Sequence, residues 1–429
     1  MSRSPALPPA RQAALSCLEA VLLRDQELQA SLDGVLDSAW LEPRDRALAT
    51  ELVYGVCRHK THLETAITRF VHPKTRLKPR LRLILSTAAY EMLYLDRIPA
   101  YASVDWAVNA VKKRVAVQRA GVANAVLRRL ADDLHNRGRP AVVHELQAVR
   151  GSNDQAWAKA YSCPEWIVRL WRRAYGDQTA ASLLQASLQV PPVGLRFAPG
   201  PQGDQAWQRW RHRPECLQAV ARGVAVHNVD AAAVEELEAQ GSAARQSLAA
   251  QEALWALEPS AWEGPLWDGC CGRGGKTLFC RELGFTVYSS DPHRQRVHLL
   301  AQQSSRICLA DAAYPPFRSG ELRTVLLDVP CSGLGVLSRR PDSKWKRAPE
   351  DLQGLVRLQR RMLEAAFALL PPGGRLVYMT CTCNPEENED QIQWLCHREP
   401  GGVLERQWHT AWDSPLFEFF YAASVVRES

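Results

Sequence analysis

Between residues 10 and 134 the apolar positions recur at three- and four-residue intervals, the period of helices with one buried face. Leu48, Leu52 and Val56 form one row, Leu63, Ile67 and Val71 a second, and Leu81, Leu85, Ala88 and Met92 a third. Two more run through Val104, Val108, Val111 and Val115, and through Val122, Val126 and Leu130. Pro73, Pro79 and Pro99 fall between rows, where a missing N–H breaks a helix, and Ser103 stands where a hydroxyl can cap the helix after Tyr101. The pattern predicts an all-helical domain of several short helices.

A polar stretch from Asn136 to Asp154 reads as a boundary region. An amphipathic helix over 164–175 and a second around 179–188 follow, then a strand at Pro191–Phe197 and a loop carrying Pro199, Gly200, Pro201 and Gly203. From Leu254 the texture changes to alternating strands and helices. Pro265–Asp268, Phe285–Asp291, Arg323–Asp328 and Arg375–Thr380 read as strands, the last introduced by the turn Pro371-Pro-Gly-Gly374, and 352–370 as a long helix. Such alternation makes a parallel sheet covered on both faces, whose ligands bind beyond the C-terminal strand ends. Asp268, Asp291, Asp328 and Cys381 sit at those ends. The expected fold is all-α plus α/β: a helical domain over 1–138, a small mixed connector over 139–245, and a Rossmann-like domain over 246–429.

Composition narrows the class. A chain of 429 residues exceeds one ordinary core, and 46% hydrophobic with 23% charged residues is the balance of a globular protein. No apolar run approaches the roughly 20 residues of a membrane span, and the N-terminus lacks the apolar segment of a signal peptide; a cytoplasmic protein is expected. The twelve cysteines include no C-x-x-C pair, only Cys270-Cys271 and Cys381-Thr-Cys383, so neither a disulfide framework nor a metal site is expected. The net charge of +7 is uneven: residues 1–150 hold 23 Lys and Arg against 15 Asp and Glu, a net of +8, and the rest sum to −1. Two runs have no acid between their cations: Arg69, Lys74, Arg76, Lys78, Arg80 and Arg82, and Lys112, Lys113, Arg114, Arg119, Arg128 and Arg129. Two such runs in one domain point to a polyanion partner, without separating RNA from DNA.

The chemistry concentrates after residue 265. Asp268-Gly-Cys-Cys-Gly-Arg-Gly-Gly-Lys-Thr277 turns a strand into a glycine-rich loop that admits a nucleotide-like cofactor. It is neither a Walker loop nor a regular G-x-G-x-x-G, so phosphate binding is the weaker reading. Asp291 is placed for ribose hydroxyls and Asp311 for an adenine edge, which suits an adenosyl cofactor without a pyrophosphate. Cys331, in Asp328-Val-Pro-Cys331, and Cys381, in Thr380-Cys381, each follow a strand. Carbon 5 of cytosine is too weak a nucleophile to take a methyl group directly, but a thiolate added at carbon 6 creates an enamine that activates it. Either cysteine suits that role on these grounds.

These motifs resemble those of the RsmB (Sun, Fmu) family of bacterial 16S ribosomal RNA cytosine-C5 methyltransferases, within the wider Nop2/Sun group. Arg46–Val56 and Asn124–Leu130 resemble its NusB-like N-terminal domain, and Pro341-Asp-Ser-Lys-Trp345 its Pro-Asp-x-Lys-Trp motif, expected to wall the RNA cleft. The resemblance implies a class I methyltransferase sheet, S-adenosylmethionine as cofactor and 16S rRNA as partner, free or in an assembling subunit, with the enzyme a monomer. It makes Cys381 the nucleophile, Cys331 the residue assisting release, and Asp328 the group holding the cytosine edge near the methyl donor, with Lys276 facing the base. It gives the cofactor to Cys270, Cys271, Gly272, Arg273, Gly274, Gly275 and Lys276, with Asp291, Asp311 and Asp328. Where the family reads Ala-Ala-Pro-Gly-Gly-Lys-Thr, this chain has Cys271-Gly-Arg-Gly-Gly-Lys-Thr277, which predicts a looser loop, and the family's Gln-Asp is Gln246-Ser247. The competing classes are a non-catalytic RNA-binding or assembly protein that kept the scaffold, and a DNA methyltransferase.

Overall fold

The computed structural model describes residues 7–302 and 304–428. The chain divides into two compact units: residues up to Leu188 together with Arg340–Lys346, and Gln189–Arg339 together with the chain from Arg347 onward.

The first unit is helical. Pro43–Arg58, Lys60–Thr68, Pro79–Tyr94, Ala100–Arg114 and Ala120–Arg137 follow the predicted rows, and Leu52, Leu63, Leu85, Val111 and Leu127 meet in one core. Gly55 matters to this packing: a Cβ there would lie 1.9 Å from the ring of Tyr90, so only glycine lets that ring lie against the helix. Ser103 is not a cap. Its helix starts at Ala100 after Pro99, and its buried hydroxyl donates to Glu91 (2.6 Å), which also accepts from Trp106 (2.8 Å) and Arg11 (2.7 Å). The polar stretch after Asn136 contains a helix, Arg139–Gln147, because Val142 and Leu146 still reach the core. The two helices expected over 164–188 are separated at Gly176, whose φ of +75° breaks the helical path.

The second unit holds two sheets. Strands β1 (Val193–Phe197), β2 (Cys216–Val220), β3 (Gly223–Val226) and β4 (Ala243–Arg245) form an antiparallel sheet in the order β2-β3-β1-β4. The expected loop after Pro199 becomes a helix, Pro201–Arg211, with proline in its first turn, where a missing N–H costs nothing. The larger sheet contains β5 (Leu266–Asp268), β6 (Val287–Asp291), β7 (Ile307–Leu309), β8 (Thr324–Asp328), β9 (Arg375–Thr380), β10 (Gly402–His409) and β11 (Tyr421–Arg427), in the order β10-β11-β9-β8-β5-β6-β7. The five strands β7, β6, β5, β8 and β9 are parallel; β11 runs antiparallel to β9, and β10 antiparallel to β11. One face packs Leu326, Val377 and Met379 against Leu254 and Phe279. The other packs Val325, Leu327 and Tyr378 against Met362, Leu363 and Phe367 of the helix Pro349–Leu369.

Candidate active site

The chemistry-bearing residues converge where β5, β6, β8 and β9 end. Gly269–Gly274 follows β5 and leads into the helix Gly275–Glu282. The Cys271 N–H donates to Ser290 O (3.0 Å), and Gly274 N–H closes the turn onto Cys271 O (2.8 Å). Gly274 has φ +87°, and a Cβ there would meet Leu300 Cδ1 at 2.4 Å, so this step of the loop requires glycine. Gly272 is tethered, its N–H donating to Asp291 Oδ2 (3.1 Å), while Arg273 is exposed. Burial pushes the thiols of Cys270 and Cys271 upward, with Asp268 adding to both, so they remain protonated packing groups.

Asp291 is almost fully buried. Its carboxylate accepts from Gly272, from His293 N–H (2.8 Å) and from Arg296 (3.4 Å), and it lies 3.0 Å from His293 Nδ1. Asp311 is half-buried and accepts the Ala313 N–H at 2.9 Å. Asp268 has no exposure; Thr277 donates to its Oδ2 (2.7 Å), and its Oδ1 has no hydrogen-bond partner among the described residues. Burial pushes its pKa up to about 6, Asp328 adds to the rise, and Thr277 and Lys276 oppose it. S-adenosylmethionine presents an ammonium, a sulfonium and a ribose diol, all of which seek acceptors or negative charge. Asp268 and Asp291, whose charges both act on the cysteines of the glycine loop, fit that group.

Lys276 lies in the first turn of its helix and donates to Asp328 Oδ2 at 2.6 Å, with its ammonium 6.0 Å from the centre of the Phe420 ring. Burial alone would lower its pKa, but the charge and hydrogen bond of Asp328, then Asp268 and Cys381, outweigh it and the net shift is upward. Beyond β8 and β9 the two cysteines face each other. Val329 N–H donates to Met379 O (3.1 Å), extending the ladder past Asp328, and Gly335 N–H donates to Cys381 O (3.0 Å). The sulfurs of Cys331 and Cys381 lie 3.3 Å apart, and the Cys381 N–H donates to Cys331 Sγ (3.4 Å). The hydrogen bond with Cys381, followed by burial and the nearby charges of Cys381 and Glu387, pushes the Cys331 thiol well up, so Cys331 stays protonated. Among the described residues no group of three or more His, Cys, Asp or Glu is placed to hold a metal ion, and no helix is long and apolar enough to cross a membrane.

The chain matches the family model for the 16S rRNA methyltransferase RsmB/F over residues 254–412 and that of the NusB family over 8–132. It is 30% identical over 431 residues to a probable ribosomal RNA small subunit methyltransferase B from Synechocystis sp., covering 96% of this chain and 92% of the relative. The chain belongs to the RsmB/F family. A Bacillus subtilis protein described in the same words is 31% identical, over 89% of this chain and 88% of its own. The crystal structure of PH0851 superposes on 99% of this family member and 100% of its own chain with a TM-score of 0.74 at 19% identity. NSun6 from Pyrococcus horikoshii, solved with the S-adenosylmethionine analogue SFG, covers 62% of this chain and 98% of its own with a TM-score of 0.52 at 16% identity. The methyl donor of this RsmB/F member is S-adenosylmethionine.

One departure from the family pattern and one motif that matches it acquire a structural reading. Ser247, at the position of the family aspartate, caps the helix Leu248–Ala256 by accepting the Ala250 N–H (3.4 Å) and donates to Glu418 (2.8 Å), which also binds Arg339. Pro341–Trp345 does not wall a cleft at Lys344. That side chain has no exposure and donates to Arg58 O (3.5 Å) and Ser162 O (3.3 Å), while Trp345 donates to Cys57 O (2.7 Å).

The first unit carries a cavity of about 690 Å³ with Lys60, Arg76, Lys78, Arg82 and Arg119 at its walls, adjoined by a second lined by Arg76, Lys78, Arg80, Arg114 and Arg119. Folding thus brings parts of both cationic runs together. It also pairs several members with acids distant in sequence: Arg69 with Glu145 (2.8 Å), Arg114 with Glu19 (3.2 Å) and Arg82 with Glu64 (3.8 Å). Arg76, Lys78 and Arg119 make no ion pair among the described residues.

Proposed function

We propose that this protein methylates carbon 5 of a cytosine in 16S rRNA in the cytoplasm, with Cys381 as the attacking thiolate. The observation that carries the proposal is the 3.3 Å approach of two sulfurs, one held as a thiol, beside the Lys276–Asp328 ion pair. The charge of Cys381 raises the pKa of the Lys276 ammonium, so the two groups are electrostatically coupled. Cys381 adds to carbon 6, Asp328 holds the N3 edge of the base, and Lys276 steadies Asp328 against it. S-adenosylmethionine supplies the electrophilic methyl group that carbon 5 accepts. Loss of the carbon 5 proton then expels the Cys381 thiolate and restores the ring, with Cys331 assisting this release. The loop Cys270–Lys276 with Asp291 and Asp311 holds the donor: Gly272 and Gly274 set the backbone, and Asp291 takes the ribose.

A stacked cytosine hides carbon 6, so the target must lie in single-stranded RNA or be flipped out. The unpaired cations Arg76, Lys78 and Arg119 suit the phosphates of that RNA. The test is to incubate the protein with methyl-labelled S-adenosylmethionine and undermethylated rRNA, then digest to nucleosides. Label in 5-methylcytidine is expected, with a covalent RNA adduct trapped by Cys331→Ala and none by Cys381→Ala. RNA binding without label would return the non-catalytic reading, and an adduct on Cys331 in the Cys381→Ala variant would reverse the two roles.

A further inference from the structure

Glu387 has no exposed surface and lies six residues beyond Cys381 at the end of a short turn, Pro385–Glu387. Its carboxylate accepts the Ser332 N–H (2.8 Å) and Gln359 Nε2 (3.0 Å) on one oxygen. The other accepts the Ser332 hydroxyl (2.5 Å), Asn384 Nδ2 (3.2 Å) and the Thr382 hydroxyl (3.4 Å). Ser332 directly follows Cys331 and Thr382 directly follows Cys381, and their hydroxyls are 2.6 Å apart. Gln359 also donates to Pro330 O (2.9 Å), the residue before Cys331. One carboxylate therefore reaches the neighbours of both thiols. Among the described residues it makes no ion pair, and an acid buried among neutral donors is costly to keep.

We infer that Glu387 is a positioning residue that clamps the two thiol-bearing loops together and divides their labour. Glutamine has the same size but only one acceptor oxygen. In either orientation its amide N–H groups would confront N–H donors, Ser332 and Gln359 on one side or Asn384 on the other, and one side of the clamp would open. The negative charge also acts on Cys331 and disfavours a second thiolate beside Cys381. The catalytic half of this inference rests on the covalent mechanism proposed above; the clamp itself does not.

Two measurements on the full chain separate them. In a Cys381→Ala background, the pH dependence of iodoacetamide alkylation at Cys331 is followed by mass spectrometry with and without Glu387→Gln. The midpoint should fall when the carboxylate is lost, because its charge disfavours the Cys331 thiolate, and an unmoved midpoint overturns the inference whether or not the protein methylates RNA. In the otherwise wild-type enzyme, Glu387→Gln should lower kcat about ten- to hundredfold, as a misplacement of about 1 Å does, with KM for RNA and S-adenosylmethionine little changed. Glu387→Asp, which keeps charge and both acceptors, should recover part of the loss and guards against a variant that fails to fold. An unchanged kcat, or a loss shared equally by cofactor binding and thermal stability, refutes the positioning role. Absence of 5-methylcytidine from the wild-type reaction refutes only the mechanism.

Discussion

Replacing Asp268 by asparagine should weaken S-adenosylmethionine binding at neutral pH and remove a pH dependence from the fold. The carboxyl is fully buried at the end of β5, bonded to Thr277 through one oxygen only, and its pKa is pushed from 3.8 up to about 6. A carboxyl whose folded pKa lies above its unfolded value binds protons more tightly in the native state. Its stabilising contribution is thus full below about 3.8 and is lost as pH rises through 6. The shift of slightly over two units corresponds to about 3 kcal/mol across that window, roughly half of it between pH 5 and pH 8. Asp268→Asn should lack this slope, so urea denaturation of both proteins across pH 5–8 isolates it, other groups cancelling in the difference. The same ionisation governs a cationic ligand. Wild-type affinity should be about tenfold weaker at pH 5 than at pH 8, tracking the ionised fraction, whereas the variant binds weakly and evenly throughout. Titration calorimetry with S-adenosylmethionine and S-adenosylhomocysteine, which lacks the sulfonium, shows which cation the carboxylate senses. Equal affinity of wild type and variant at pH 8, or a flat wild-type profile, would refute the reasoning.

Reversing Arg76, Lys78 and Arg119 to glutamate should weaken RNA binding more than tenfold and flatten its salt dependence, by about 0.7–0.9 in the log–log slope for each phosphate no longer neutralised; a slope unchanged in a filter-binding series would remove the groove from the RNA interface. Arg114 is a poorer probe, since its reversal also breaks the pair with Glu19 and should lower the melting temperature. Diamide should convert the Cys331 and Cys381 thiols, 3.3 Å apart, to a disulfide that abolishes methyl transfer and is reversed by dithiothreitol; peptide mapping that finds no bridged pair would contradict the geometry. Ser247→Ala removes both a helix cap and the bond to Glu418 and should cost about 1–2 kcal/mol in denaturant unfolding, so a change within experimental error would mean that the serine merely fills the place of the family aspartate.

How far the sequence could be read depended on what each signal reports. The rows at Leu48–Val56 and Leu81–Met92 are legible because each helix buries one stripe against a single core. Strands β5, β8 and β9 are legible because each runs apolar into an acid or a cysteine. The β11 strand, Tyr-Ala-Ala-Ser-Val-Val-Arg427, has no such mark: it is buried on both faces and shows no alternation. Ser103 has the right residue type for a cap, but its partner is Glu91, twelve positions away and set by packing. The thiol pair was predictable as two strand ends, since parallel neighbours deliver their C-termini to one edge. Glu387 was not: a glutamate in a polar run reads as solvated surface, and only the folded chain shows five donors converging on it. Lys344 misleads for the same reason in reverse, a cation that suggests an RNA contact yet lies buried, where desolvation lowers its pKa to about 8.

The membership of Arg340–Lys346 in the helical unit makes that unit discontinuous in sequence. Lys344 and Trp345 fill places on Arg58, Ser162 and Cys57 that the first 188 residues cannot fill themselves. During synthesis the helices emerge first and wait for about 150 further residues, on the order of ten seconds of translation, before the segment that completes them is made. A fragment cut at Leu188 would carry the same unfinished surface permanently, so separating the halves for study requires this heptapeptide to travel with the helices.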